Sequence, residues 1–120
     1  ATLDELTGGR AVLGFATGGS TVLAIGRPPA TQAEVRAEIA ALRQLFAGEE
    51  FEWEGRTVKS LRFARNVPIY YSAFGPKALA LAAQVADGAI LFAGDQHLDA
   101  VEARIAMLRD AATKAGRDPD

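Results

Sequence analysis

The chain has 120 residues, of which 49% are hydrophobic and 23% charged, a composition typical of one folded domain rather than of a disordered or membrane-embedded chain. A formal net charge of -2 gives no electrostatic reason to expect nucleic acid or an anionic membrane as a partner. Because the sequence has no cysteine and one histidine, we expect a cytoplasmic protein without disulfides and without a bound metal.

Both ends of the sequence have features of an interrupted chain. Residues 1–6 have the pattern of the last turns of a helix, and Thr7, Gly8 and Gly9 are typical of a helix end. Residues 116–120 contain a glycine followed by a proline, a pattern that usually releases the chain toward a further element. We therefore expect the 120 residues to be a fragment of a longer chain.

The next segment predicts a strand followed by a loop of small residues. Residues 10–16 are a short apolar run, which favours a strand. Residues 17–21 are small and can pass close to a ligand. Residues 22–29 predict a loop or partial turn, which two prolines end.

A surface helix is expected after this loop. Thr31 and Glu34 have the spacing of a capping box, in which each side chain bonds the backbone of the other residue. The helix is expected to end at Ala47 and Gly48. Its apolar positions recur at helical spacing: Val35, Ile39, Leu42 and Phe46.

An antiparallel ribbon is predicted next. Residues 50–54 alternate with period two, Gly55 and Arg56 form the turn, and residues 57–63 return. Trp53 lies within the alternating pattern, so we interpret it as packing against its own sheet face rather than as a cofactor contact.

A strand-to-helix corner is the most informative part of the chain. Residues 67–71 predict a buried strand, residues 72–75 a tight corner, and Pro76 the first residue of a helix. The first N–H groups of a helix have no partner within the helix and carry the positive end of its dipole, so they can hold an anion. The candidate donors are the N–H groups of Gly75, Lys77 and Ala78, with the Lys77 ammonium beside them.

The same Gly-Pro corner is also ordinary turn chemistry without any ligand, and a lysine in a first helical turn is usually solvated. On this corner alone, a phosphate site and a simple turn remain equal alternatives.

The rest of the chain completes an α/β pattern. Residues 89–93 predict another apolar strand, and a last helix is expected over residues 97–115. His97 is interpreted as a solvated or capping residue, since no catalytic partner is placed beside it. The apolar strands favour a parallel sheet buried on both faces, with three loops at its carboxyl end: residues 16–20, 72–75 and 93–96.

Several motifs together resemble the luciferase-like monooxygenase superfamily of flavin- and deazaflavin-dependent oxidoreductases. The resemblance spans nearly the whole chain and implies a TIM (β/α)8 barrel, of which residues 1–120 supply a partial barrel with an inserted helix and β-ribbon. The motifs are the residues 2–10, 13–18, 26–31, 48–50, 55–56, 74–79 and 86–88.

The resemblance is nearest to the deazaflavin branch typified by methylene-tetrahydromethanopterin reductase, and it implies coenzyme F-420, or alternatively FMN, as the cofactor. Some relatives carry a catalytic carboxylate at the position of Gly19, where this chain has no side chain. The catalytic residues are therefore unknown and are expected outside this segment. The cofactor-binding residues that the resemblance implies are Thr17, Gly18, Gly19, Phe74, Gly75, Pro76, Lys77 and Ala78.

The implied activity is hydride transfer between the reduced deazaflavin and a small organic substrate, in a protein expected to be a homo-oligomer. An FMN-dependent monooxygenase of the same superfamily is an alternative. An alternative of another class is a phosphate-binding barrel enzyme without a flavin. Such an enzyme would need a lysine or a carboxylate pair at the strand ends, and only Lys77 and Asp95 are near such positions in the sequence. A non-catalytic relative is the remaining alternative.

Overall fold

The computed structural model describes residues 2–59, 64–92 and 97–119. None of the helices in these ranges is long and apolar enough to cross a membrane. In chain order the elements are α1 (Thr2–Leu6), β1 (Leu13–Phe15), α2 (Ser20–Ala24), α3 (Gln32–Ala47), β2 (Glu50–Trp53), β3 (Arg56–Lys59), β4 (Ile69–Ser72), α4 (Pro76–Val85), β5 (Gly88–Ile90) and α5 (Leu98–Lys114).

The main sheet has three parallel strands in the order β1-β4-β5. Its register places Gly14 opposite Tyr70, and Tyr70 opposite Gly88. Neighbouring strands of this sheet are parallel, and crossover connections that contain α3 and α4 join them. The predicted α/β pattern with parallel strands is therefore confirmed.

Helices cover one face of the sheet and form the core there. Ile69 and Tyr71 of β4 point to this covered face and are 0% and 1% exposed. Tyr70, which alternates with them, is 39% exposed on the opposite face. The expectation that the sheet is buried on both faces is therefore wrong for the described residues. The helices contribute Val35, Ile39, Leu79, Leu81 and Ala82 to the core.

The β-ribbon is confirmed, with its turn one residue earlier than predicted. Glu54 and Gly55 both have positive φ, 49° and 74°, and Trp53 pairs with Arg56. Two positive φ values in a two-residue loop are typical of the turn whose twist matches an antiparallel ribbon. The predicted continuation of the second strand over residues 60–63 lies outside the described residues.

Helix α3 begins and ends as the sequence predicts. The Thr31 N–H donates to Glu34 Oε2 at 2.6 Å, and the Glu34 N–H donates to Thr31 Oγ1 at 3.3 Å. Gly48 follows the helix in the left-handed conformation, with φ 75°. These two ends fix the length of the helix that packs on α4.

Replacing Thr31 with alanine should lower the free energy of unfolding by about 1 kcal/mol, because the cap of α3 would be lost. Urea denaturation of the purified protein measures this change. Thr21→Ala is the control, since Thr21 is exposed and its side chain makes no hydrogen bond to the described residues. Equal losses in the two variants would contradict the capping role.

Candidate functional site

Two of the three predicted loops lie side by side at the carboxyl edge of the sheet. Phe15, the last residue of β1, is paired with Tyr71 in β4, so residues 16–19 and 73–75 leave the sheet at the same edge. The carboxyl ends of parallel strands are where α/β proteins bind ligands. The predicted third loop, residues 93–96, lies outside the described residues.

All eight predicted cofactor-binding residues belong to these two neighbouring loops and to the helix start that follows one of them. They are half-buried or exposed, so each is accessible at this edge: Thr17, Gly18, Gly19, Phe74, Gly75, Pro76, Lys77 and Ala78.

The start of α4 offers free hydrogen-bond donors. Gly75 is the N-cap residue, Pro76 opens the helix, and the Leu79 N–H donates to the Gly75 carbonyl oxygen at 2.9 Å. The described part of the chain supplies no recorded acceptor for the N–H groups of Gly75, Lys77 and Ala78. These are the donors expected at the first turn of a helix, and they can bind an anion.

Neither the backbone conformation nor the packing of the described residues requires a glycine at position 75. Its φ of -116° and ψ of 168° are ordinary extended values that any residue adopts. A Cβ atom added at Gly75 would meet no atom within 4 Å. The absence of a side chain leaves open space directly beside the free N–H groups, as a ligand that approaches the backbone needs.

Lys77 differs from the other two lysines of the sequence. Lys59 lies 3.3 Å from Glu50, and Lys114 lies 2.6 Å from Asp110. Lys77 is exposed and has no recorded ion pair with the described residues. Its ammonium group is therefore available for an anion at the same helix start.

The loop after β1 is held by the short helix α2. Gly18 has φ +76°, and a Cβ atom added there would lie 2.8 Å from Cγ1 of Val22. The Ala30 N–H donates to the Thr17 carbonyl oxygen at 2.9 Å, and the Leu23 N–H donates to that of Gly19 at 3.2 Å. Sequence analysis predicted an irregular loop where α2 lies, so it missed this support.

The uncovered face of the sheet is built around one tyrosine. A Cβ atom at Gly88 would lie 2.7 to 2.9 Å from three ring carbons of Tyr70, so the ring rests directly on the Gly88 backbone. On the other side of Tyr70, a Cβ atom at Gly14 would lie 3.6 Å from Ile90 Cδ1. Sequence analysis did not find this arrangement, although isolated glycines within strands do signal close approaches.

The amino edge of the sheet carries a charged cluster that stabilises the fold. Asp87, in the turn between α4 and β5, accepts a hydrogen bond from the Ile69 N–H at 2.8 Å. Its Oδ1 lies 3.0 Å from Arg43 and 4.0 Å from Arg117. This cluster joins α3, β4 and the segment after α5 at the edge opposite the candidate site.

The pH dependence of stability should reveal the Asp87 cluster. Partial burial acts to raise the pKa of Asp87, but the Ile69 N–H and the Arg43 and Arg117 guanidinium groups outweigh it and hold the pKa below its ordinary value of 3.8. A carboxyl group whose pKa is lowered on folding stabilises the protein above the unfolded pKa, and this contribution is lost as the pH falls through the folded pKa.

Urea denaturation at a series of pH values should therefore show Asp87→Asn less stable than the original protein at pH 7. The difference should shrink as the pH falls below 3.8. A difference that stays constant down to full acid unfolding would contradict this role of the carboxylate.

Trp53 lies on the β-ribbon and His97 at the start of α5. Trp53 shares a ribbon face with Phe51 and Val58, and together with α3 they line an open apolar cavity of about 320 Å³. Trp53 therefore shares an apolar face with its own ribbon, and its packing there rather than against a cofactor stays a prediction. His97 is the N-cap residue of α5 and makes no capping hydrogen bond with its side chain.

Comparison with known proteins gives one family. The family model for luciferase-like monooxygenases matches residues 1–120. The 5,10-methylenetetrahydromethanopterin reductase of Methanolobus tindarius is 39% identical over an alignment 128 residues long, gaps included, and the alignment covers 98% of this chain and 38% of that protein. The F-420-dependent glucose-6-phosphate dehydrogenase of Nakamurella multipartita is 35% identical over an alignment of length 131, which covers 100% of this chain and 39% of that protein.

The fold is also shared with a solved structure. An F-420-dependent secondary alcohol dehydrogenase, in complex with an F-420–acetone adduct, superposes with a TM-score of 0.78 at 24% sequence identity. The match covers 99% of this chain and 39% of that structure. The chain therefore spans less than half the length of the relatives that it matches.

Proposed function

Because this chain belongs to the luciferase-like monooxygenase family, we propose that residues 1–120 are one segment of a (β/α)8 barrel in a coenzyme F-420-dependent oxidoreductase. The protein transfers a hydride between the reduced deazaflavin and an organic substrate. Both curated relatives described above support this proposal, since one is named as an F-420-dependent dehydrogenase and the other as a 5,10-methylenetetrahydromethanopterin reductase.

The observation that carries the proposal is the free anion site at the start of α4. At the carboxyl edge, three backbone N–H groups have no acceptor among the described residues, and there is open space beside Gly75. The exposed Lys77 follows in the first turn of α4, without an ion pair to those residues. Coenzyme F-420 and FMN both carry a phosphate on a ribityl arm, and a phosphate matches this donor set. The residues present therefore fit the proposed coenzyme.

The loop after β1 fits the ring of the coenzyme. Thr17, Gly18 and Gly19 follow β1, the strand that pairs with β4, and a Cβ atom at Gly19 would meet no atom within 4 Å. A flat ring needs such open space next to the backbone. When bound, the coenzyme supplies the hydride chemistry. The described residues bind its phosphate, orient its ring and exclude water from one side, while the catalytic residues lie outside this segment.

An FMN-dependent monooxygenase is the second candidate, because the family takes its name from that activity and the anion site accepts the phosphate of either cofactor. Added coenzyme F-420 separates the two. We expect the full-length natural protein to quench deazaflavin fluorescence on titration and to bind FMN more weakly. If the purified protein is yellow with bound FMN and does not bind the deazaflavin, the result would favour the monooxygenase. A protein that binds neither would favour a non-catalytic relative or a flavin-free phosphate enzyme.

The proposal keeps the remaining expectations from the sequence. They are a cytoplasmic homo-oligomer with a small-molecule substrate, without a metal, and without nucleic acid or membrane as partner. The net charge of -2 supports the absence of nucleic acid and of an anionic membrane as partners, and the absence of cysteine supports the expected location.

A further inference from the structure

A cavity of about 540 Å³ opens between α3 and α4, and we call it the arginine groove. Three guanidinium groups line it: those of Arg36 and Arg43 on α3, and that of Arg117 after α5. On α3 the two arginines flank Ala40 on one helix face, and its small side chain leaves room between them. The groove adjoins the charged cluster at the amino edge of the sheet, so it is separate from the anion site at the start of α4.

The arginine groove carries a local surplus of positive charge. Among the described residues that line it, Asp87 is the one carboxylate, so three guanidinium groups face a single negative charge. Asp118, which follows Arg117 in the chain, lines a different cavity, between α4 and α5. The chain as a whole has a formal net charge of -2. The positive groove therefore contrasts with the overall charge of the chain.

Part of this positive charge stabilises the end of α4. Arg117 Nη1 donates to the carbonyl oxygens of Ala83 and Ala86 at 2.9 and 2.6 Å, and Arg43 Nη2 donates to that of Val85 at 2.8 Å. These carbonyl groups lie at the helix end where the dipole carries about half a negative charge. Even after this offset and the single carboxylate, roughly one and a half positive charges remain in the groove.

Arg36 supplies a guanidinium group that no carboxylate of the described residues neutralises. Its Nη2 group donates to Oε1 of Gln84, a neutral amide, which orients the guanidinium without cancelling its charge. The other N–H groups of Arg36, and the Nε and Nη1 groups of Arg43, have no acceptor among the described residues. Planar guanidinium donors match the oxygens of phosphate and carboxylate groups.

The rest of the proposed barrel would leave the arginine groove open. Helices α3 and α4 belong to the two successive crossovers that flank β4, the central strand. Further parallel strands would pair with the outer edges of β1 and β5. Their helices would then lie beyond α3 or beyond α5, and not between α3 and α4. The groove would therefore stay on the outer surface of the protein.

We propose that the arginine groove binds a small soluble anion with two or more negative charges, through phosphate or carboxylate oxygens. A ligand of this charge offsets the surplus that the three guanidinium groups leave. The volume of about 540 Å³ lies within the range of small-molecule sites, about 300–1,000 Å³, so the anionic groups can belong to an organic molecule. The site is distinct from that of the coenzyme and does not depend on the proposed function.

Titration with inorganic phosphate and with citrate tests the groove, and NMR of the isotope-labelled full-length natural protein measures binding. The protein carries Lys77→Ala, so that the lysine of the anion site at α4 does not contribute. We expect the side-chain Nε–H signals of Arg36 and Arg43 to shift and to saturate with at least one of the two anions. The dissociation constant should rise with salt concentration, because salt screens the attraction. A comparison of the two anions shows whether phosphate or carboxylate oxygens bind more tightly.

Substitutions of Arg36 locate the bound anion, and the Arg43 signal measures their effect. Arg36→Gln should raise the dissociation constant roughly tenfold, as expected for the loss of a charge-assisted hydrogen bond. Arg36→Lys keeps the charge without the planar fork and should raise it less. Arg56→Gln removes the same charge from β3, outside the groove, and should leave the constant unchanged. Circular dichroism confirms that each variant is folded before titration.

Three results would overturn the proposal. Arginine signals that stay in place, or that shift without saturating, would show that the groove has no specific anion site. Equal weakening by Arg36→Gln and Arg56→Gln would show a response to overall charge only. Saturable binding that moves other signals but not those of Arg36 and Arg43 would place the anion elsewhere. The titration contains no coenzyme, so a protein that fails to bind coenzyme F-420 can still confirm or refute the groove.

Discussion

Replacing Gly18 with alanine should lower the free energy of unfolding by about 2–4 kcal/mol. Gly18 has φ +76°, where a residue with a Cβ atom is strained by roughly 1–2 kcal/mol. The new Cβ atom would also lie 2.8 Å from Cγ1 and 3.0 Å from Cγ2 of Val22, so one of the two segments would have to move. Urea denaturation measures the loss, and coenzyme titration should show weaker binding because the loop after β1 is displaced.

Gly26→Ala is a matched control for this prediction. Gly26 has nearly the same φ, +74°, but a Cβ atom there would meet no atom within 4 Å, so this variant has the backbone strain without the collision. In the double variant Gly18→Ala, Val22→Ala, the part of the stability loss that comes from the collision with Val22 should be recovered, and the part that comes from backbone strain should remain. If Gly18→Ala and Gly26→Ala lowered the free energy of unfolding equally, the collision with Val22 would contribute nothing to the loss.

Helices with local end signals could be predicted from the sequence. Thr31 and Glu34 fix the start of α3 by hydrogen bonds three residues apart, and Gly48 ends it in a conformation that glycine adopts without strain. Pro76 likewise marks the first residue of α4. In these cases the information lies within four residues of the boundary, so a linear pattern is sufficient.

Helix α2 could not be predicted in this way. It has five residues, too few to be stable alone, and its Leu23 side chain remains 60% exposed. The hydrogen bond that the Ala30 N–H donates to the Thr17 carbonyl oxygen closes the loop that contains α2, and it joins residues on either side of the helix. No local sequence pattern reports such contacts.

The candidate site likewise has a part that the sequence predicts and a part that it does not. The anion site was predictable because Gly75, Pro76 and Lys77 are consecutive, and a helix start imposes its geometry on them. The position of the Tyr70 ring on Gly88 was not predictable, because it depends on the register that pairs β4 with β5 and on which face the helices leave uncovered. An apolar strand has the same appearance in sequence whichever face is covered.

Replacing Lys77 with alanine should weaken coenzyme binding by about 1–3 kcal/mol, the range expected for a hydrogen bond to a charged group. Lys77 has no recorded protein partner in the described residues, so the variant leaves no carboxylate unpaired and the stability of the apoprotein should change little. Fluorescence titration with coenzyme F-420 at low and high salt measures the effect. The loss should be smaller at high salt, because salt screens the ammonium–phosphate attraction.

Lys114→Ala is the matched control, since it removes the same charge from the far end of α5, where Lys114 pairs with Asp110 at 2.6 Å. It should leave coenzyme affinity unchanged, whereas Lys77→Arg should keep most of it because the guanidinium also binds phosphate. If Lys77→Ala and Lys114→Ala bind the coenzyme equally well, the phosphate does not contact Lys77. The backbone N–H groups of Gly75 and Ala78 would then hold the phosphate alone. Coenzyme affinity would depend on the geometry of the helix start and not on the lysine charge.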